Sequence, residues 1–420
     1  MGAFRRTRRQ KNKNKINRIQ GEIAMYFSSL HRYVYCAGVV ALGAGLWFGQ
    51  AALQNQAEAQ GATVEGPVFE VDPFWPKPLP NNWLLGMSIG VWVDDEDHIW
   101  MIHRGSSTLD DNEKSAELEP KVTQGCCVGA PPVLVFDQEG NLINSWGGPG
   151  EGYDWPASNH GIHVDYKGNV WIGGNGGTDA MVLKFTKDGK FLMQVGGSGT
   201  TGGSNDEENF GRVAKIWVDP ETNEAYLADG YGNKRIAVID ADTGKMKRFW
   251  GAYGNTPDDA DLGPYDPNAE PAQQFRNPVH CVERAVDGLV YVCDRANDRV
   301  QIFQPDGTFV KEAFYAKETL GAGSTWDLAF SPDPEQRFIY MSDGMNRVVR
   351  IIDRKTLEEI STFGGGGRQP GQFYGVHSIA VDSDGNIYTT ETWEGKRIQK
   401  FLNKGIGKIA REQGVAWPRS

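Results

Sequence analysis

The sequence predicts an all-β chain folded as a six-bladed β-propeller whose ring is closed by an N-terminal strand. Three observations carry this reading. A unit of strand, tight turn, strand, polar loop and strand recurs six times, at intervals of roughly 40–60 residues. The chain holds 53 glycines and 13 tryptophans, which suits a turn-dense all-β fold. Near the start, residues 68–71 (VFEV) read as a strand with no partner in their own neighbourhood, while only a basic, glycine-containing tail follows the last unit. Donating that early strand to the last blade would remove the open edges of the ring.

The unit is clearest at residues 277–303, NPVHCVERAVDGLVYVCDRANDRVQIF. Residues 279–282 lead into a turn at Asp287-Gly288, residues 289–293 return, and after the loop DRAND residues 299–303 form a third strand. The turn aligns with GVWVDDEDHIW (90–100), GIHVDYKGNVW (161–171), KIWVDPETNEAY (215–226) and SIAVDSDGNIY (378–388), and with a longer version, LAFSPDPEQRFIY (328–340). The loops after the second strand repeat Asp-x-x-Asn-x-Arg, in which Asp and Asn cap turns through side-chain bonds to the backbone. A long polar insertion at 105–132 interrupts the first unit, and loops of that length are usually functional or disordered.

Histidine placement carries the functional argument. Eight residues before the turn glycine stand His160, His280 and His377, in the second, fourth and sixth units. The matching positions of the first, third and fifth units are Ile89, Ala214 and Trp326. This station opens the first strand, which in a propeller lines the central channel, and alternate blades of six lie about 120° apart. Three imidazoles there converge on one point and leave a coordination position open, as a catalytic zinc requires. Inner-strand histidines can also simply pack or hydrogen-bond. The alternation is what favours a metal. His163, three residues further along the same strand as His160, is not expected to matter to it.

Charge and cysteines narrow the setting. Nine of the 43 Lys/Arg and two of the 54 Asp/Glu lie in the first 60 residues, so the net charge of −11 becomes about −18 beyond them. That disfavours nucleic acid as a partner. Cys126-Cys127 is a vicinal pair in the insertion, and Cys36 lies in an apolar run. Cys281 and Cys293 flank one hairpin, placed either for a disulfide in an oxidising compartment or as two buried thiols. Residues 1–24 are basic and read as disordered. Residues 25–60 read as a secretory signal peptide with a small-x-small site at Ala57-Glu58-Ala59, or as an uncleaved membrane anchor. The membrane then enters only through this segment, and the propeller spans 64–410.

The first strand starts on one face of the disk, and the loop after the second strand returns to it. The histidines therefore share that face with His103-Arg104-Gly105, Tyr231 and Arg295. A phenol near a cation and a metal has its pKa lowered toward use as a base, and arginine holds a carboxylate in bidentate geometry.

The repeats V-D-x-x-G-N-(I/V)-Y and D-x-x-N-x-R resemble NHL-type propellers. More narrowly, the site pattern resembles peptidyl-α-hydroxyglycine α-amidating lyase, a six-bladed propeller with zinc on three histidines. The resemblance rests on His103-Arg104-Gly105, His160-Gly161-Ile162, Asp229-Gly230-Tyr231, His280 with Asp294-Arg295, and His377 before its Asp-Gly hairpin, in the same blade order from about 83 to 403. It implies zinc on His160, His280 and His377, Tyr231 as base, and Arg104 and Arg295 beside it. The substrate it implies is a small molecule or peptide C-terminus bearing α-hydroxyglycine, cleaved at the C–N bond to an amide and glyoxylate. The sequence departs from the family at three places. Gly232 stands for a disulfide cysteine, Gly375 for a Met, and Ser378 for the Asp that helps bind a structural calcium. A metal-dependent hydrolase such as a lactonase, and a non-catalytic binding propeller, are the rival readings.

Overall fold

The structure, a computed structural model, describes residues 63–123, 125–199 and 201–418. The expectations for residues 1–24 and 25–60, disorder and a signal peptide or anchor, lie outside the described residues. Among the described residues, six four-stranded sheets form the blades, each antiparallel and ordered as a meander except at the seam, beside one short two-stranded sheet. The first strands of the six blades are Ser88–Val93, Asn159–Val164, Val213–Asp219, Val279–Arg284, Asp327–Phe330 and Val376–Val381. These strands pack side by side, blade one to six and six back to one, around a central channel. Among the described residues no helix is long and apolar enough to cross a membrane.

Each blade forms for the reason its repeat suggests. The Asp that ends the first strand turns the chain and then receives the indole or phenol of the second strand. Trp100 Nε1 donates to Asp94 at 2.9 Å, Trp171 Nε1 to Asp165 at 2.9 Å, and the Tyr388 hydroxyl to Asp382 at 2.9 Å. The turn glycine is needed for its backbone: Gly168, Gly288 and Gly385 lie at φ of 75°, 84° and 82°. Between blades the sheets bury alternating apolar faces. Trp100, Ile102, Val133 and Val135 of blade one meet Ile162, Val164, Val170 and Ile172 of blade two.

The loops after the second strands do more than cap turns. Their Asp forms a buried ion pair with an Arg that opens the third strand or lies within it: Asp229–Arg235, Asp294–Arg299 and Asp343–Arg350, with Glu391–Arg397 in blade six. Arg235 also donates to the carbonyls of Ser204, Asp206 and Asn209 in the preceding connection. One residue type thus fixes both its own turn and the incoming loop.

Closure follows the expected scheme but over a longer seam. The closing strand runs Thr63–Asp72, not merely 68–71, and pairs with Arg397–Ala410. The stretch after residue 402, taken from sequence as a tail, is therefore strand. Its partner decides this. Ile409 faces Val64 across the ladder and is buried with them against the fifth blade's core. Beyond it, Arg411, Gln413 and Gly414 continue hydrogen bonding along Thr362 and Gly364, covering the outer edge of blade five.

One irregularity positions the site. In five of the six first strands the register with the second strand slips by one residue at the station eight residues before the turn glycine. The slips fall at Ser88/Gly90, Asn159/Ile162, Val213/Lys215, Val279/Cys281 and Val376/Ser378. Such a bulge leaves one residue unpaired with its ladder and re-aims its side chain. Here the residue left over is the station itself, Ile89, His160, Ala214, His280 or His377.

Candidate functional site

The bulges bring His160, His280 and His377 together. Their ring centroids are 5.1, 4.8 and 4.8 Å apart pairwise, and all three are buried. Each Nδ1 lies against a carbonyl of the next blade: His160 on Ala214 at 2.7 Å, His280 on Trp326 at 2.5 Å, His377 on Ile89 at 2.7 Å. These acceptors are the three non-histidine residues of the same station. A carbonyl can only accept, so Nδ1 carries the proton and Nε2 is left as a bare lone pair. Gly161 permits the approach, because a Cβ there would stand 2.5 Å from the Ala214 oxygen.

Burial holds all three imidazoles below their ordinary pKa, His377 at about 3. The neighbouring Arg104 and Arg295 add to this. The rings are neutral and ready to ligate.

Tyr231 reaches the same point from the third blade. Its hydroxyl is 3.0 Å from His160 Nε2, 3.1 Å from His280 Nε2 and 3.2 Å from Arg295 Nη1. The loop bearing it abuts the first strand of blade four, where a Cβ on Gly230 would meet the Val279 oxygen at 2.0 Å. Only glycine fits between Asp229 and Tyr231. Arg295 sits over Trp326, its guanidinium carbon 4.4 Å from the ring centre, and its Nε finds no partner within the protein. Arg104 comes from the end of blade one and is held by the Asn159 carbonyl at 3.3 Å and the Asn175 side chain at 2.9 Å.

The donor set suits a cation. One phenolic proton serves two unprotonated nitrogens about 3 Å away, so at least one of those close pairs has no hydrogen between its lone pairs. Three inward imidazole nitrogens with fixed tautomers match what zinc takes, with room for a further ligand. A second acidic group, Asp94, Glu96 and His98, could also hold a metal. There Lys187 already sits 3.0 Å from Asp94 and 2.9 Å from Glu96.

The remaining candidates are structural in their contacts. His103 Nδ1 accepts from the amides of Gly86 and Gly105, which braces the turn that presents Arg104. His163 Nε2 accepts from the Val218 amide at 3.1 Å, and its ring meets Trp92 edge-on. The described residues of the insertion at 105–132 make specific contacts with the blades. Val128–Gly129 pairs with Trp83–Leu84, and Glu113 bonds Lys396 of blade six. Among the described residues two disulfides are present, Cys281–Cys293 and the adjacent Cys126–Cys127. They are compatible with an extracellular location.

No protein-family model matches the chain. NHL repeat-containing protein 3 of Mus musculus is 26% identical over 304 residues, 70% of this chain and 70% of that protein. Peptidyl-alpha-hydroxyglycine alpha-amidating lyase 1 of Drosophila melanogaster is 25% identical over 364 residues, 80% of this chain. The chain is similar to NHL-repeat proteins and amidating lyases. It spans 60% of the fly lyase's own length. A structural genomics protein of unknown function from Bacteroides thetaiotaomicron superposes with a TM-score of 0.50 at 15% identity, over 81% of this chain and 77% of that one, which shows the shared fold.

Four residues of the site escaped the sequence reading: Ile89, Ala214, Trp326 and Asn175. The carbonyls of Ile89, Ala214 and Trp326 belong to positions singled out only for lacking histidine. Trp326 is the platform for Arg295, and Asn175 fixes Arg104. The polar loop containing Asn175 was the available signal for the last.

Proposed function

We propose that the protein is an exported, zinc-dependent carbon–nitrogen lyase of the amidating-lyase type, acting on an α-hydroxyglycine compound or peptide end. The observation that carries this reading is the Tyr231 hydroxyl, within hydrogen-bonding distance of two of the three histidine nitrogens and of Arg295. A hydrolase would need only a metal and water. A phenol held this way supplies a base for a substrate hydroxyl.

His160, His280 and His377 would hold the zinc, which supplies Lewis acidity toward the substrate's oxygen. Tyr231 Oη takes the proton of the α-hydroxyl. As that oxygen becomes the aldehyde of glyoxylate, the C–N bond breaks and the amide nitrogen takes up a proton. Arg295, held against Trp326, donates to the Tyr231 hydroxyl at 3.2 Å and fixes its position beside the histidines. Arg104, on the same face, binds the substrate carboxylate.

The test is glyoxylate release from an N-acyl-α-hydroxyglycine. Tyr231→Phe is expected to keep fold and zinc while slowing turnover by about 10² or more. Zinc-loaded wild type that yields no glyoxylate would remove the lyase reading. A Tyr231→Phe enzyme as fast as wild type would remove this role for the phenol.

A further inference from the structure

One residue past the histidine station, the channel is crossed by a charge cluster that the chemistry above does not use. Lys215 of blade three follows Ala214, the acceptor for His160. Its Nζ lies 2.6 Å from Asp327 Oδ1 of blade five, 2.9 Å from Glu283 Oε2 of blade four and 3.1 Å from the Leu328 carbonyl. The other oxygen of Asp327 accepts from the Ser378 hydroxyl of blade six at 2.5 Å and from the Ile379 amide at 3.2 Å. Lys215, Asp327 and Ser378 line one small cavity with His160, His280 and His377. All members are buried: Lys215 is 7% exposed, Asp327 3% and Ser378 7%.

A buried ammonium is tolerated only when its charge and all three donors are met. Lys215 meets that condition with two carboxylate oxygens and a carbonyl. Remove the ammonium, and two carboxylate oxygens and a main-chain oxygen are left around one point, with the Ser378 hydroxyl on the far oxygen of Asp327. Such an all-oxygen set is what a hard divalent cation takes. The amidating lyases that the sequence resembles hold a structural calcium with an Asp at the place of Ser378, a departure already visible in the sequence, and the residues here do not fit that ion. The Nζ stands within hydrogen-bonding distance of the oxygens a cation would need. Position 378 also carries serine, which keeps the local excess to a single negative charge.

We propose that the Lys215 ammonium is a built-in cation of the channel, occupying a place that would otherwise take a divalent metal. It ties blades three, four, five and six together beneath the histidines, and the channel takes one metal ion only. The proposal concerns binding and stability, and stands whether or not the protein is a lyase.

The experiment compares the full chain and Lys215→Ala, each carrying its zinc, in a calcium chelator and in millimolar Ca²⁺, by thermal melting and metal analysis. Wild type is expected to melt at one temperature in both and to retain no calcium. Lys215→Ala is expected to melt lower in chelator, to gain about 5 °C with Ca²⁺, and to hold about one calcium per chain. Wild type that retains stoichiometric calcium or melts higher with it would overturn the proposal. So would a Lys215→Ala protein as stable as wild type, or one destabilised but untouched by Ca²⁺. Should Lys215→Ala fail to fold, Lys215→Met with Asp327→Asn, which removes the opposing charge as well, is expected to fold and ignore Ca²⁺. Failure of that double variant together with a calcium response of wild type also counts against it.

Discussion

At the scale of single residues, the site is a set of side chains whose roles are assigned by what each nitrogen or oxygen can donate. The histidine register makes a sharp prediction. His160→Ala is expected to strip the bound metal, whereas His163→Ala, whose ring serves the Val218 amide, is expected to keep it. Metal analysis of both purified variants decides between the two. His103 and His163 predict the acid limb of stability. Burial lowers them to about 4 and about 3, while in the unfolded chain each titrates near 6.5. Below pH 6.5 the unfolded state binds more protons, so their contribution is complete above that pH. It is lost as pH falls toward the folded values, at about 1.4 kcal/mol per unit for each ring. His163→Gln should therefore lose about 2 kcal/mol less than wild type between pH 7 and pH 5, measured by urea unfolding. The sequence made the histidines legible because a fixed spacing from a turn glycine counts residues along a strand. It could not show the carbonyls of Ile89, Ala214 and Trp326, since main-chain oxygens carry no residue signature.

At the scale of elements, the blades were legible wherever strand, turn and polar loop repeat a pattern, and less so where the partner alone makes the strand. Residues 403–410 have too many glycines and lysines to read as strand, and the ladder to Thr63–Pro67 makes them one. The bulges were likewise invisible, because a one-residue slip is a property of two strands in register. The hairpin Val279–Arg284 with Val290–Asp294 sets Cys281 opposite Cys293, and the pair is bonded within the core. Two thiols or a disulfide were equally compatible with the spacing, and the facing register decides it. Cys281→Ser should lower stability by roughly 2–3 kcal/mol, and reducing agent should lower the melting temperature of wild type but not of the variant. Both are read by denaturant and thermal unfolding.

At the scale of the whole molecule, a ring of six sheets depends on one non-local seam, Thr63–Asp72 against Arg397–Ala410. A chain beginning at residue 73 should lose it, expose the edge of Arg397–Ala410, and aggregate on size-exclusion chromatography. If the protein is exported with cleavage after Ala59, the mature chain keeps the closing strand with a margin of a few residues. Mass spectrometry of the native protein should then find a start near Gln60 or Gly61. An intact start in a cytosolic fraction would refute export, and one in membranes would favour the anchor.

The seam also orders events in time. The strand that locks the ring is among the first parts of the propeller to leave the ribosome, and its partner is among the last. For the length of synthesis the early strand has nothing to pair with, and the blades made meanwhile form an open arc. The loop that must finally close spans more than 300 residues, so closure waits until Arg397–Ala410 has been made. Until then the arc keeps two open edges, one on each side of the gap that the seam will fill.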